Sequence, residues 1–96
     1  MHAVIRSYSG AGAKELFDLL EKRKTEVESV IGTVIGLVSY TLIRTHDGGT
    51  AVTICQDKTG TDESLKVAAN WIKENAPDLG ASLREVSEGP VIIHKN

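Results

Sequence analysis

The side chains best suited to recognise a small molecule are an aromatic and basic set on predicted strands: Arg6, Tyr8, Tyr40 and Arg44. A guanidinium holds a carboxylate through two parallel hydrogen bonds, and a tyrosine adds an apolar ring with a polar tip. These four residues could therefore orient an anionic ligand. The same residue types are enriched where protein chains meet, so the sequence favours packing against a second chain, with ion pairs to residues such as Asp57.

Trp71 is the aromatic side chain best placed to touch a ligand from a helix. It lies on the flank of an apolar helical stripe, beside Val67 and Asn75. It either closes over a small aromatic molecule or packs at the edge of the core. The large area that a buried tryptophan removes from water favours core packing.

The remaining reactive residue types do not form a recognisable site. His2, His46 and His94 lie at strand ends or near the termini, and Cys-x-x-Cys is absent, so no metal site is predicted. His46, beside a predicted turn, could approach a partner's site in a dimer. Cys55 is typical of a small buried hydrophobe. The Gly-Ala-Gly segment at 10–12 lacks a third glycine, which favours a simple strand-to-helix turn over a phosphate-binding loop.

Length and charge exclude several classes of protein. The chain has 96 residues and a net charge of −2, with acids and bases interspersed. This length predicts one domain, residues 1–96, with a single core. The lack of a basic patch disfavours nucleic acid and anionic membranes as partners, and no apolar run approaches the ~18 residues of a membrane span. A single cysteine and the lack of a signal-peptide pattern predict a cytoplasmic protein.

A hairpin within residues 34–57 is the strongest structural signal. Two runs rich in β-branched residues flank Asp47-Gly48-Gly49, and glycine accepts the positive φ of a tight type I′ turn. A two-residue turn at 47–48 or 48–49 predicts that Ile43 pairs with Val52 or with Ile54. Both registers divide the side chains between the same two faces, whereas a three-residue loop would exchange the faces of the second strand.

The other patterns complete an alternating order of elements. They predict a strand over His2–Tyr8, a helix over Ala13–Ile31, a second helix capped by Thr59 and ended by Pro77, and a last strand over Pro90–His94. Residues 78–88 are predicted to be mostly irregular, with 83–86 briefly extended. The order β-α-β-β-α-β predicts a ferredoxin-like α+β fold, with two helices on one face of a four-stranded antiparallel sheet.

The two sheet faces differ in composition. The face predicted to lie under the helices carries Ile5, Ile35, Leu37, Thr41, Ile43, Val52 and Ile54. Ile5 is assigned to it because the alternative would bury Arg6 unpaired, which is costly. The opposite face carries Val4, Arg6, Tyr8, Val38, Tyr40, Leu42, Arg44 and Cys55. Because this face is too apolar to be simply hydrated, it predicts a homodimer through Val4, Arg6, Val38, Tyr40, Leu42 and Arg44.

A family resemblance adds to this prediction. The segments at 36–40 (GLVSY), 47–49 (DGG), 57–60 (DKTG) and 68–72 (AANWI) resemble small bacterial proteins of the dimeric α+β barrel superfamily, which includes antibiotic-biosynthesis-monooxygenase-like and stress-responsive barrel proteins. The resemblance implies a homodimer and, where a ligand is bound, a cleft between sheet and helices. Cofactor-free oxygenases of this group use an asparagine on strand one, a tryptophan on helix two and often a histidine. Trp71 matches the second residue, while strand one has no asparagine and helix two no histidine.

Three hypotheses follow for function. The first is a small homodimeric barrel protein that needs no cofactor and binds an apolar or aromatic small molecule, with Trp71, Tyr8 and Arg6 as ligand-binding candidates. The second is a cofactor-independent monooxygenase-like enzyme acting on an aromatic substrate, with Trp71, Tyr40, Arg44 and His46 as catalytic candidates. The third is an accessory or regulatory domain that binds another protein through its sheet face.

Overall fold

Four antiparallel strands form one sheet, and the helices pack on one of its faces. The computed structural model describes residues 1–79 and 82–96, and of residues 82 and 84 only the backbone. In chain order the elements are β1 (His2–Ser9), α1 (Ala13–Lys22), α2 (Lys24–Ile31), β2 (Leu37–Thr45), β3 (Gly48–Cys55), α3 (Lys58–Asn75) and β4 (Ser82–Pro90). The strand order β2-β3-β1-β4 places β1 and β3 at the centre. This arrangement confirms the predicted ferredoxin-like α+β fold.

The hairpin turn lies one residue earlier than predicted. Thr45 pairs with Gly48, so the two turn residues are His46 and Asp47, and Ile43 faces Thr50. From Ser39 to Thr45 the partner positions still sum to an odd number, so these residues divide between two faces as predicted. The register shift between Leu37 and Ser39 moves Leu37 to the face of Cys55. Gly48 and Gly49 do not adopt positive φ. The prediction of a glycine-dependent type I′ turn was wrong.

Close packing accounts for these two glycines. A Cβ at Gly48 would lie 2.1 Å from the backbone oxygen of Tyr8, and one at Gly49 would lie 2.1 Å from Cε2 of Phe17. The ring of Phe17 is buried against the sheet, with its centroid 6.0 Å from that of Tyr8. The hairpin therefore needs glycine because α1 and β1 approach its backbone so closely.

The predicted first helix is two helices that meet at Arg23. The backbone of Arg23 is not helical, with φ −111° and ψ 31°. Its guanidinium turns back to the carboxylate of Glu26 in the first turn of α2, with Nη2 2.7 Å from Oε2. α1 buries Ala13, Leu16, Phe17 and Leu20, at the spacing of one helical face, and α2 continues the cover with Val27 and Ile31.

The third helix is capped two residues earlier than predicted. Asp57 caps it by accepting a hydrogen bond from the backbone N–H of Gly60 at 3.2 Å, so Thr59 lies inside the helix. α3 is the longest helix, with 18 residues. None of the helices in the described ranges combines the length and apolar character of a membrane-crossing segment.

The last strand also differs from the prediction. It runs over Ser82–Pro90 and pairs with β1, with an irregularity between Ser7 and Tyr8. Beyond Pro90 the chain is irregular, and the side chains of Ile92 and Ile93 are exposed. The predicted strand Pro90–His94 was therefore wrong, and the extended segment predicted at 83–86 lies inside the real strand. The part of the irregular prediction that falls on residues 80–81 lies outside the described residues.

The helices cover the opposite sheet face from the one predicted. Val4 and Thr53 are fully buried beneath them, whereas Ile5 is 41 % exposed and Ile35 is 84 % exposed. The prediction placed the apolar hairpin face under the helices and added Ile5 because of the cost of burying Arg6, yet Arg6 is only 3 % exposed. The free energy gained by burying the large aromatic and aliphatic side chains on the same face exceeds the cost of burying this one charge.

This reversal overturns the predicted dimer contact. Val4, Arg6, Tyr40 and Leu42 lie under the helices and are not available to a second chain. Arg44, on the same face, is exposed at the end of β2, and Val38 lies at the irregularity where β2 shifts its pairing with β3. Leu37 pairs with Cys55 and therefore faces the helices, as predicted. The face that remains open is the one built on Ile5.

Candidate functional site

A small cavity lies between the buried sheet face and the helices. Its volume is about 30 Å³, room for one or two water molecules or for one small polar group. Strand residues form its floor and helix residues its walls: Arg6, Tyr8, Tyr40, Leu42 and Ala51 from the sheet, and Leu20, Val27, Val30, Ile31, Val67, Ala68, Trp71 and Ile72 from the helices. We call this space the inner cavity.

A wider groove adjoins the inner cavity. It has a volume of about 290 Å³ and lies between β2 and the α1–α2 pair. The two spaces share four lining residues: Leu20, Val27, Tyr40 and Leu42. The groove is further lined by Phe17, Glu21, Lys24, Glu28 and Arg44. We call it the outer groove; it offers an apolar floor with a charged rim of two acids and two bases.

Arg6 is the charged group of the inner cavity. Its Nη1 donates a hydrogen bond to the Tyr8 hydroxyl at 2.8 Å, and its guanidinium carbon lies 5.9 Å from the Tyr8 ring centroid. Its Nε–H has no hydrogen-bond partner, and neither does the buried Thr53 hydroxyl on β3. Among the described side chains no carboxylate pairs with Arg6. A buried cation is therefore held by hydroxyl groups alone, which is an expensive arrangement.

Tyr40 connects the inner cavity with the outer groove. Burial raises the pKa of its phenol, and the nearby positive charge of Arg6 offsets part of that rise. The hydroxyl of Tyr40 is therefore protonated at neutral pH and available as a hydrogen-bond donor. Three polar groups thus converge in an otherwise apolar cavity, those of Arg6, Tyr8 and Tyr40.

Trp71 forms one wall of the inner cavity, and a polar latch fixes its indole. The indole Nε1 donates to Oε2 of Glu26 at 2.9 Å, and the Arg23 guanidinium carbon lies 5.3 Å from the Trp71 ring. Glu26 in turn accepts from Arg23. One carboxylate thus ties α3 to the α1–α2 junction and holds the indole in a single orientation.

The latch predicts a pH dependence of stability. Hydrogen bonds from Arg23 and then from Trp71 hold the pKa of Glu26 below its usual value. A carboxyl whose pKa is lower in the folded state stabilises the fold above its unfolded pKa, near 4.3–4.5, and loses that effect as pH falls through the folded pKa. We expect Glu26→Gln to lower the urea midpoint at pH 7, and the difference from the parent chain to shrink as pH falls below 4.5.

The control for this prediction is Glu28→Gln, an exposed glutamate of the same helix. It should have little effect on the midpoint at either pH, because surface substitutions away from such contacts are nearly neutral. A midpoint difference for Glu26→Gln that grew as pH fell below 4.5 would contradict the prediction.

The structure gathers some of the predicted site residues and separates others. Arg6, Tyr8, Tyr40 and Trp71 line the inner cavity. Arg44 lies on the rim of the outer groove and pairs with Asp18 and Glu21 at 3.1 Å each. His46 lies in the hairpin turn and lines neither space. The four catalytic candidates of the oxygenase hypothesis therefore do not share one cavity.

Two other predicted features have a plain structural setting. Cys55 is fully buried, and burial is the main reason that the pKa of its thiol is raised, so it carries little thiolate. In the described ranges, no group of three or more His, Cys, Asp or Glu side chains could hold a metal ion.

Sequence reasoning missed most of the apolar lining. The helix residues Leu20, Val27, Val30, Ile31 and Ala68 all contact the cavity. Their helical spacing indicates an inward-facing surface, but a buried helix face has the same spacing whether it packs tightly or leaves a space. The signal that could have located the cavity is Ala68 beside Trp71 on α3, a small residue opposite the strand positions of Arg6 and Tyr40.

Comparison with known proteins gives matches in structure only. No protein-family model and no curated protein sequence matches the chain. Among solved structures, a variant of MhuD with two manganese protoporphyrin IX molecules bound per active site is similar over 100 % of this chain and 99 % of its own, with TM-score 0.71 and 17 % identity.

Two further structures have the same fold. A variant of SnoaB, a cofactor-independent oxygenase from Streptomyces nogalater, is similar over 97 % of this chain and 94 % of its own, with TM-score 0.64 and 13 % identity. A dimeric ferredoxin-like protein from an uncultured marine organism is similar over 99 % and 95 %, with TM-score 0.65 and 13 % identity. The chain thus shares a ferredoxin-like fold with these proteins.

Proposed function

We propose that this protein is a homodimer that binds a small apolar or aromatic molecule between its sheet and its helices. The observation that carries the proposal is the inner cavity, where Trp71, Tyr8, Tyr40 and Arg6 converge in apolar surroundings. Ligand sites are typically apolar clefts with a few polar groups that fix orientation. The outer groove gives such a molecule room that the inner cavity lacks.

Binding is favoured over oxygenase chemistry by the placement of the candidate residues. Trp71 and Tyr40 border the cavity, but Arg44 is engaged with carboxylates on the groove rim and His46 is at the far end of the hairpin. The similarity to SnoaB is a similarity of fold, and one fold supports many functions.

A substitution in α3 tests the binding site. Ala68 lines the inner cavity, so Ala68→Leu should fill it and abolish binding of an aromatic probe such as 2-naphthoate. In the parent chain, a probe at ~100 times its dissociation constant should raise stability by about 2.7 kcal/mol, seen as a thermal shift. The matched control is Ala69→Leu, the next residue of the same helix, which is exposed. Equal shifts in both variants would show that the probe binds elsewhere.

The open sheet face supports the dimer. On β1, β2 and β3 it carries side chains that are all uncharged: Ala3, Ile5, Ser7, Ser9, Ser39, Thr41, Ile43, Thr45, Thr50, Val52 and Ile54. Ile5 is 41 % and Ile43 47 % exposed. On β4 the same face adds Ser87 and Glu85, opposite Ile5 and Ser7. The uncharged part on β2, β3 and β1 is typical of the centre of a contact between chains, where charged residues are depleted. The similar ferredoxin-like protein from the marine organism is dimeric.

We expect Ile5→Glu to convert the dimer to a monomer. Ile5 lies on a central strand, and a glutamate there would be desolvated without a partner on packing against a second sheet. Sedimentation velocity at micromolar concentration measures the change. Ile92→Glu introduces the same substitution at an exposed position outside the sheet and should leave the dimer intact. A monomeric parent chain would contradict the proposed dimer.

A further inference from the structure

The inner cavity contains a positive charge that the described residues do not neutralise. Arg6 is 3 % exposed, its Nε–H has no partner, and its contacts are the hydroxyl and ring of Tyr8 and the phenol of Tyr40. The other arginines for which ion pairs are described, Arg23 and Arg44, each pair with a carboxylate at the surface. Arg6 therefore has capacity for an anion that no described side chain uses.

The sizes of the two spaces restrict how an anion could enter. The inner cavity, at about 30 Å³, can take a carboxylate but not an aromatic ring. The outer groove, at about 290 Å³, can take the ring. Because the two spaces meet at Leu20, Val27, Tyr40 and Leu42, a molecule lying across them would place its polar end at Arg6 and its apolar body in the groove.

Arg6, and not the groove rim, determines which charge on a ligand is preferred. The rim residues are Glu21, Glu28, Lys24 and Arg44, two of each sign, and Arg44 is already paired with Glu21. Such a rim has no net preference for an acid or a base. In the drier inner cavity, a single unpaired guanidinium interacts far more strongly with a negative charge than a surface group does.

From these observations, and resting on the proposed ligand cavity, we infer that the ligand is an aromatic or apolar carboxylic acid whose carboxylate pairs with Arg6. The guanidinium donates to the carboxylate, while the hydroxyls of Tyr8 and Tyr40 flank it. The apolar body of the acid lies along the outer groove against Leu20, Val27 and Leu42.

A pair of probes that differ in charge tests the inference. Binding of 2-naphthoate and of its neutral analogue 2-naphthamide is measured by titration calorimetry on the full chain. The parent protein should prefer the carboxylate by at least about tenfold, as expected for a charge-assisted hydrogen bond. Arg6→Met, which replaces the charge with an apolar side chain of similar length, should remove that preference. Lys14→Met deletes an exposed positive charge of α1 outside both spaces and should retain it.

A second measurement does not depend on folding of the Arg6 variant. In the parent protein, the ¹⁵N–¹H signal of the Arg6 Nε–H should shift further at saturation with 2-naphthoate than with 2-naphthamide, because the carboxylate is the stronger acceptor. Equal affinities for the two probes, blocked by Ala68→Leu, would overturn the inference and leave the proposed binding site standing. Failure of both probes to bind the parent protein would overturn both.

Discussion

Gly49→Ala is expected to destabilise the fold by about 3 kcal/mol, the upper end of the usual cost of overpacking. The added methyl group would lie 2.1 Å from Cε2 of Phe17 and within 2.4 Å of two more atoms of that ring. The ring is 4 % exposed, and it is enclosed by the core cluster that contains Tyr8, Leu16 and Leu20. It cannot swing away without opening a space elsewhere, so the strand or the helix must move.

Gly89→Ala is the matched control for this prediction. Gly89 is also a strand glycine without positive φ, and a Cβ there meets no atom within 4 Å. Its substitution should change the free energy of unfolding by no more than about 0.5 kcal/mol. Urea denaturation followed by circular dichroism measures both variants. Similar midpoints for the two would mean that the close approach of Phe17 to the hairpin does not constrain the fold.

Trp71→Ala should be the most damaging single truncation in the site. The side chain is 7 % exposed and contacts the main core cluster, and removing a buried aromatic group costs about 3–5 kcal/mol. Domains of this size are stable by about 5–15 kcal/mol, so the variant is expected to be partly unfolded near 37 °C. The loss also frees Glu26 from one of its hydrogen-bond donors.

Trp71→Phe distinguishes the contribution of the buried ring from that of the hydrogen bond to Glu26. Phenylalanine keeps most of the apolar volume but cannot donate to Glu26, so the expected loss is about 1 kcal/mol, the scale of a single hydrogen bond. Thermal unfolding, monitored by circular dichroism, gives the midpoint temperature of each variant and so ranks their stabilities. A Trp71→Phe chain as unstable as Trp71→Ala would mean that the hydrogen bond to Glu26, and not the buried area, holds α3 in place.

The element order and the two-face division of the hairpin could be predicted because both follow from local patterns. Alternating residues in β2 and β3 keep Ile43 and Val52 on one face in every two-residue turn that the sequence allowed. The identity of the covered face could not be predicted in this way. It depends on whether Arg6 is tolerated inside, and that is decided by Tyr8 and Tyr40, which supply the hydroxyls around it.

The helix break at Arg23 and the position of the last strand were not predicted. In the sequence Arg23 is one more charged residue in a helical run, and its pattern gives no sign that Arg23 and Trp71 bind the same carboxylate of Glu26. The last strand was placed at the apolar run after Pro90, yet the polar segment before it forms the strand because β1 offers a free edge there. Pairing with β1 therefore decided the position of the strand, against the intrinsic strand preference of the apolar run after Pro90.

The position of Trp71 has an optical consequence. It is the single tryptophan of the chain, and its indole lies against the inner cavity with one face towards Arg23. Indole emission responds to the polarity of its surroundings and to nearby charge. A molecule in the inner cavity lies against the indole and changes its surroundings, so the colour and intensity of the emitted light report whether the site is filled. The protein thus contains its own spectroscopic indicator of occupancy, without an attached label.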